Sequence, residues 1–404
     1  MKKKILNLVL NSSYQRIGYF HNYFPMAKPR MTIETCGVKN SAGVENFIRL
    51  MRSFKKWGWS VSKNKGHNKA DFIIIHFRPV MSFLKCLPEI KKAKNNGSKV
   101  LLYVSEPLGL RKEVWKSHLL PLDIVIETFD ICDVIIVNSI GYLYCSLYDE
   151  LKRFASYLDK TVLIEESLLY ELHSNLPVKR HTTSQPVAVW HGYPLNMSRW
   201  VQGNFPGDLY FDPQYFPSIY KKKESELYGN LYDTLEVPLI TIAKYHPTIK
   251  ADRLFPGDKN IGRLLQQYDI GIAPFFTNIF RTLIKPFGAK IQTYMIAGLP
   301  VIASPIPDYL RWIEHEKTGL FAESKKEWKE ASQLLKDPKL RQYISSNARA
   351  MVLSNFSSDK IVGKYERVFE ALKNNEKKIP FSILNFDSNI DNDWKSNNSS
   401  DRNR

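Results

Sequence analysis

Short unbroken apolar runs alternate along the chain with longer stretches in which apolar side chains recur at helical spacing. Residues 44–57 show the second pattern. Val44, Phe47, Ile48, Met51 and Phe54 share a face, Arg49, Arg52, Lys55 and Lys56 lie mostly elsewhere, and Gly58 is the stop. Asp71–His76 is a run suited to a buried parallel strand. A helix is expected over Pro88–Asn96, ended by Gly97, with strands over Lys99–Val104 and Asp133–Asn138 separated by another helical stretch. Further strands are expected over Val187–Trp190, Pro238–Ala243, Asp269–Pro274 and Gly298–Ser304. Helices are expected over Ile261–Tyr268 and Ala289–Ile296, with two or three more between Tyr309 and about Asn374. This rhythm predicts an α/β protein of parallel sheets covered by helices on both faces.

A chain of 404 residues is too long for one ordinary core and suits two domains. The polar, proline-bearing stretch 174–187 reads as a linker between domains at 1–173 and 188–375. Residues 376–404, rich in Asn, Asp and Ser, read as a disordered tail. Residues 201–236, rich in Tyr, Phe, Pro and Gly, suggest no definite element. The amino terminus, Met1–Lys4 followed by Ile5–Leu10, has the start of a signal peptide. The apolar run is short, Asn7 and Asn11 interrupt it and no small-residue cleavage site follows, so a first strand or a loose arm is expected. No apolar run approaches the roughly 20 residues that span a bilayer, which leaves a soluble or membrane-surface protein as the expectation.

Charge changes the picture for one half only. Residues 1–118 carry 23 basic and 6 acidic side chains, against 35 and 34 in the remainder. A basic domain beside a neutral one suggests an anionic partner: nucleic acid, acidic lipid or a phosphorylated substrate. A basic solvated surface is the simpler alternative. Neither a base-reading motif nor regular aromatic–basic interleaving supports nucleic acid. Cys36, Cys86, Cys132 and Cys145 lack metal or disulfide spacing, and a reducing cytoplasm is expected, with Cys132 and Cys145 as buried thiols.

Candidate chemistry concentrates in residues 281–304. Lys285 and Lys290 flank Gly288, which opens a helix beginning at Ala289. The first amides of a helix lack internal partners and carry the positive end of its dipole, a geometry that binds phosphate. A glycine lets a diphosphate approach closely, and the lysines add charge pairing. A plain strand–helix joint with two solvated lysines is the alternative.

The run Tyr294-Met-Ile-Ala-Gly298-Leu-Pro-Val-Ile-Ala303, with Tyr268-Asp-Ile-Gly-Ile-Ala-Pro274 upstream and Lys317-Thr-Gly-Leu-Phe321 downstream, resembles the donor half of the GT-B glycosyltransferases, in particular the retaining, glycosyltransferase 4-like group. The resemblance covers roughly residues 261–325. It implies two Rossmann-like domains facing a cleft, a nucleotide-sugar donor in the second and an acceptor in the first. It also implies donor contacts from Gly192, Asn196, Arg281, Lys285, Gly288, Ala289, Lys290 and Thr293, with a plain turn as the alternative at Gly192; Lys244 is a donor candidate from its place at a strand end, without the family's Arg–Lys pair at recognisable spacing. The family's two glutamates are replaced by Lys285 and Thr293, leaving Thr293 only a hydroxyl to offer the donor ribose. In the first half, Gly43 before the 44–57 helix is similar to the family's diphosphate-approaching glycine loop.

Of the remaining polar residues, Glu106 follows a strand and could deprotonate or orient an acceptor hydroxyl, with a surface salt bridge as the alternative. His76 ends a strand and could touch substrate or simply belong to the core; Lys244 and His246 end another and could touch phosphate. No Asp-x-Asp metal motif occurs at a plausible site, so neither a metal nor another cofactor is expected; charge on the leaving diphosphate falls to the helix terminus and lysines. The expected activity is sugar transfer from a nucleotide sugar to a glycan or lipid-linked hydroxyl, with retention, in cell-surface glycan synthesis. The expected place is the cytoplasm, with peripheral contact at the inner membrane face through the basic domain. A non-catalytic sugar-nucleotide binder, or a GT-B epimerase or phosphorylase, remains the alternative.

Overall fold

The computed structural model describes residues 30–34, 50–63, 70–77, 84, 86–104, 122–145, 152–167, 175–194, 197, 201, 230–275 and 287–385. The chain divides into two units, one made of residues up to Ser167 with Ser358–Ser388, the other containing Leu168–Ser357.

In the first unit, β1 (Arg30–Glu34), β2 (Ser60–Lys63), β3 (Phe72–Phe77), β4 (Lys99–Val104), β5 (Val134–Val137) and β6 (Thr161–Leu163) form one sheet ordered β2-β1-β3-β4-β5-β6. In the second, β7 (Ala188–Gly192), β8 (Leu239–Ala243), β9 (Arg253–Leu254), β10 (Ile270–Ala273), β11 (Val301–Ala303) and β12 (Leu320–Phe321) are ordered β12-β11-β10-β7-β8-β9. Every ladder within the two sheets is parallel. Central parallel strands are covered on both faces, which is why all six side chains of β3 are buried. Asp133 and Asp269, expected to open their strands, stand just before β5 and β10 for a physical reason. Each carboxylate accepts a backbone N–H from the chain alongside, that of Val100 at 2.7 Å and that of Val187 at 3.1 Å.

The expected helix at 44–57 is described over residues 50–56, with Leu50, Met51 and Phe54 buried and Arg52 exposed; Val44, Phe47 and Ile48 lie outside the described residues. Gly58 and Gly97 stop their helices at φ +77° and +89°. The helix Ala289–Ile296 has the expected bounds. β1 was not expected: Arg30-Met-Thr-Ile-Glu34 offers only two apolar residues, yet it pairs with both β2 and β3. Cys132 is buried as expected; the side chain of Cys145 and the arm at 1–29 lie outside the described residues.

The structure divides the chain differently from the expected 1–173, 174–187, 188–375 and 376–404. The helix Ser358–Lys373 belongs to the first unit. Its Phe369 stacks on Phe72 at 4.4 Å between ring centres, and Trp59 donates its indole N–H to Glu366 at 2.7 Å. The tail is ordered to residue 385: the Leu163 N–H bonds the Phe381 carbonyl at 2.9 Å, and Ile383 is fully buried. The expected linker is fastened to the second unit by cations that bind backbone carbonyls near helix ends. Lys179 donates to Gln266, Arg341 to Leu335, Lys336 and Thr183, and Arg349 to Ile296 and Leu176, while a ring nitrogen of His181 bonds Gly298. A helix carboxyl end carries partial negative charge, so basic side chains suit it.

Candidate functional site

The helix Ala289–Ile296 connects β10 to β11, so it runs antiparallel to the strands and starts at their carboxyl ends. Gly288 is its N-cap, in extended conformation, with no side-chain cap and no acidic residue in the first turn. The helix start therefore keeps its positive end uncompensated by its own side chains. Gln292 instead reaches back to the Phe287 carbonyl at 3.0 Å, which anchors the entry to the helix.

Around this terminus the second sheet is shaped by three contacts. Lys290 Nζ lies 4.3 Å from the centre of the buried Trp190 ring, a cation–π contact. Gly192, at the end of β7, permits it: a Cβ there would stand 2.7 Å from the Trp190 ring and 3.0 Å from Lys290 Nζ. Tyr294, fully buried, accepts the His191 N–H and packs its ring over Gly271, where a Cβ would come within 2.6 Å. Burial, only partly offset by that N–H, pushes the Tyr294 phenol well above its ordinary range, so it stays protonated.

Gly192, Gly288, Ala289 and Lys290 are thus brought together at one sheet edge. Lys244, just past β8, is exposed, its Nζ 5.5 Å from the ring of Tyr193, which follows β7. His246 is half-buried, and its Nδ1 accepts the backbone N–H groups of Thr248 and Ile249, a turn-forming role. Thr293 faces inward: it is 3% exposed and donates to the Ala289 carbonyl one turn earlier, so the position of the family's second glutamate shows the donor no open polar group. Asn196, Arg281 and Lys285, and in the first half Gly43 and Glu106, lie outside the described residues.

In the first unit His76 is fully buried in β3, its ring 5.8 Å from that of Tyr103. Beside them Asn138 donates to the Tyr103 hydroxyl at 3.3 Å and to a carboxylate oxygen of the half-buried Glu166 at 2.8 Å. Burial above all, then the Glu166 carboxylate, raises the Tyr103 phenol well above its ordinary range. Sequence reasoning did not single out Trp190, Tyr193 and Tyr294 in one unit, or Tyr103, Asn138 and Glu166 in the other. Their common signal is a position at or just past the end of a parallel strand, or, for Tyr294, inside the recognised helix motif. Among the described residues no group of three or more His, Cys, Asp or Glu is placed to hold a metal ion, and no helix is long and apolar enough to cross a membrane.

Comparison with known proteins bears on the fold and on the segment around the helix Ala289–Ile296. Residues 248–351 match the family model described as glycosyl transferases group 1. In sequence, no curated protein matches the chain. In structure, the chain is similar to a glycosyltransferase from Rickettsia africae, at 15% identity and TM-score 0.53, over 86% of this chain and 99% of that one. It is similar to sucrose-phosphate synthase from Thermosynechococcus elongatus, at 13% identity and TM-score 0.52, over 86% and 100%. It is also similar to Anabaena HepE in complex with UDP-glucose, at 12% identity and TM-score 0.51, over 86% and 100%. Identities this low speak for the fold, while the family match speaks for the segment that holds the helix Ala289–Ile296. With that match in its second unit and this similarity over most of its length, the chain has the two-domain α/β fold of these glycosyltransferases, and its residues 248–351 match glycosyl transferases group 1.

Proposed function

We propose that the second unit holds the diphosphate of a nucleotide sugar at the amino end of the helix Ala289–Ile296, and that the sugar passes, with retention, to a hydroxyl of a glycan or lipid-linked acceptor presented by the first unit. The observation that carries this reading is the uncapped Gly288 terminus, with Lys290 beside it, at the carboxyl edge of a parallel sheet inside the matched segment. Backbone amides and the lysine are fixed before the reaction, so they stabilise the charge that builds on the departing diphosphate without reorganising. This chemistry requires no metal or other cofactor. HepE, a structural neighbour, binds UDP-glucose, which makes UDP-sugars the first donors to try.

The first half carries the chain's excess of basic residues, 23 against 6 over residues 1–118. That excess supports an anionic or lipid-linked acceptor, a cytoplasmic enzyme working at the inner face of a membrane, and a role in cell-surface polysaccharide or glycolipid synthesis. The test is a thermal-shift and transfer screen with UDP-, GDP-, ADP- and CMP-sugars, since a ligand of the folded state raises apparent stability. Stabilisation by a nucleoside diphosphate that weakens about tenfold in Lys290→Ala is expected, the loss of one charge-assisted contact. Binding unaffected by that substitution overturns the placement of the diphosphate.

A further inference from the structure

β7 and β8 pair in register, with Gly192 opposite Ala243, so Tyr193 and Lys244 leave the carboxyl edge of the second sheet level with each other on adjacent strands. Adjacent strands stand about 4.8 Å apart. Both side chains meet solvent, Tyr193 being 52% exposed. The Lys244 ammonium lies 5.5 Å from the centre of the Tyr193 ring. Among the described residues no carboxylate and no hydrogen-bond acceptor takes that ammonium.

On the opposite flank of β7 lies β10, and the helix that follows β10 brings Lys290 to the same place: its Nζ is 3.0 Å from where a Cβ on Gly192 would stand. Two ammonium groups thus border the end of β7, Lys290 on the ring of Trp190 and Lys244 on that of Tyr193. A carboxylate neutralises an ammonium, whereas a ring face holds it through the ring quadrupole and leaves its charge unspent. A phosphate oxygen, which makes a charge-assisted hydrogen bond, is the stronger partner and can draw Lys244 off the ring.

We propose that Lys244 is a second cation for the diphosphate of the donor and that Tyr193 is its positioning residue. The ring keeps the ammonium at the sheet edge beside Gly192, and from there it passes to a phosphate oxygen when a nucleoside diphosphate binds. The assignment rests on the second unit being the donor unit, as proposed above, and adds to Gly288 and Lys290 a contact from the neighbouring strand.

The test is calorimetric titration of the full chain with UDP, GDP, ADP and CDP, repeated on variants of these two exposed side chains. For whichever nucleotide binds, Lys244→Met is expected to weaken binding about tenfold, the loss of one charge-assisted contact. Tyr193→Leu should weaken it roughly two- to fivefold, the worth of an exposed cation–π contact, and Tyr193→Phe, which keeps the ring face, should bind as the unaltered chain does. The double variant Tyr193→Leu/Lys244→Met should bind no more weakly than Lys244→Met alone, because the ring acts through the lysine. Unchanged binding in Lys244→Met overturns the proposal and leaves the donor reading standing. A Tyr193→Leu loss that persists in the Lys244→Met background means that the ring itself touches the nucleotide, and overturns its positioning role. If no nucleoside diphosphate binds, the donor reading falls and the proposal falls with it.

Discussion

The phenolic oxygen of Tyr294 accepts the backbone N–H of His191 at 2.9 Å and directs its own proton to the Ile272 carbonyl at 3.3 Å. β7 and β10 pair only at Ala188–Ile270 and Val189–Gly271, so the tyrosine bridges the two strands where their own ladder has ended. Tyr294→Phe keeps the ring over Gly271 and removes the oxygen that His191 uses. A stability loss of about 1–3 kcal/mol is expected, the ordinary cost of depriving a buried backbone group of its partner. It should appear as a lower urea midpoint at unchanged slope, with weaker nucleotide binding because the turn at Gly192 is less firmly held.

Two glycines of the second unit are required by contact. Gly298 has φ +82°, and a Cβ there would stand 2.9 Å from the Cβ of Lys179; at Gly271 it would stand 2.6 Å from the Tyr294 ring. Gly298→Ala and Gly271→Ala should each destabilise by about 1–3 kcal/mol through overpacking. Gly363→Ala, with open space around it, should not. Thermal melts of the three variants side by side make the comparison.

Asp269 joins the 176–187 stretch to its unit and titrates accordingly. Burial pushes its carboxyl up, but His181, the Val187 amide, Lys179 and Arg341 together outweigh this and hold it below its ordinary value. The native state therefore favours the ionised form. The stabilisation is complete above the usual carboxylate range near about 4 and is lost as pH falls through the depressed value. Urea melts taken downward from neutrality should lose stability in the acid range, and Asp269→Asn should flatten that dependence.

Phe369 lies late in the chain yet should govern the first unit. Its ring meets Phe72, Trp59 and Phe54 at 4.4, 5.2 and 5.9 Å. Phe369→Ala should cost about 3–5 kcal/mol, as for other buried aromatic truncations. Hydrogen exchange should then locate the added opening in β2, β3 and residues 50–56, not in β7–β11.

Cys132 should be inert in the folded protein. Burial pushes its thiol up to about 12, although Lys160 pulls the other way. A thiol-reactive dye should reach it only after unfolding, since the thiolate is the reactive species.

Strand–helix alternation, the two-domain plan and the helix Ala289–Ile296 were legible because each is written in contiguous residues. What was hidden depends on partners far apart in sequence. The stripe Ile361, Val362, Tyr365, Phe369 announces a buried helix face but not which sheet covers it. β1 is short and half polar, and only its two neighbours make it a strand. Residues 174–187 look like a linker by composition; Arg341 and Arg349, more than 150 positions on, make them part of a core. At the site, the recognised motif located Gly288 and Lys290. It did not show Trp190 beneath the lysine or the hydroxyl of Thr293 turned inward, because both follow from how helix and sheet pack.

The return of Ser358–Lys373 to the first unit has a consequence for biosynthesis. A ribosome delivers β6 well before the helix that finishes the core around it; residues 168–357 intervene. At ~5–20 residues per second the gap lasts roughly 10–40 s. Through that interval the leading half is incomplete, its Phe54 and Phe72 side lacking a cover, while the trailing half can already close on itself. Maturation thus runs opposite to translation, and nascent-chain chaperones have their natural target in the portion made first.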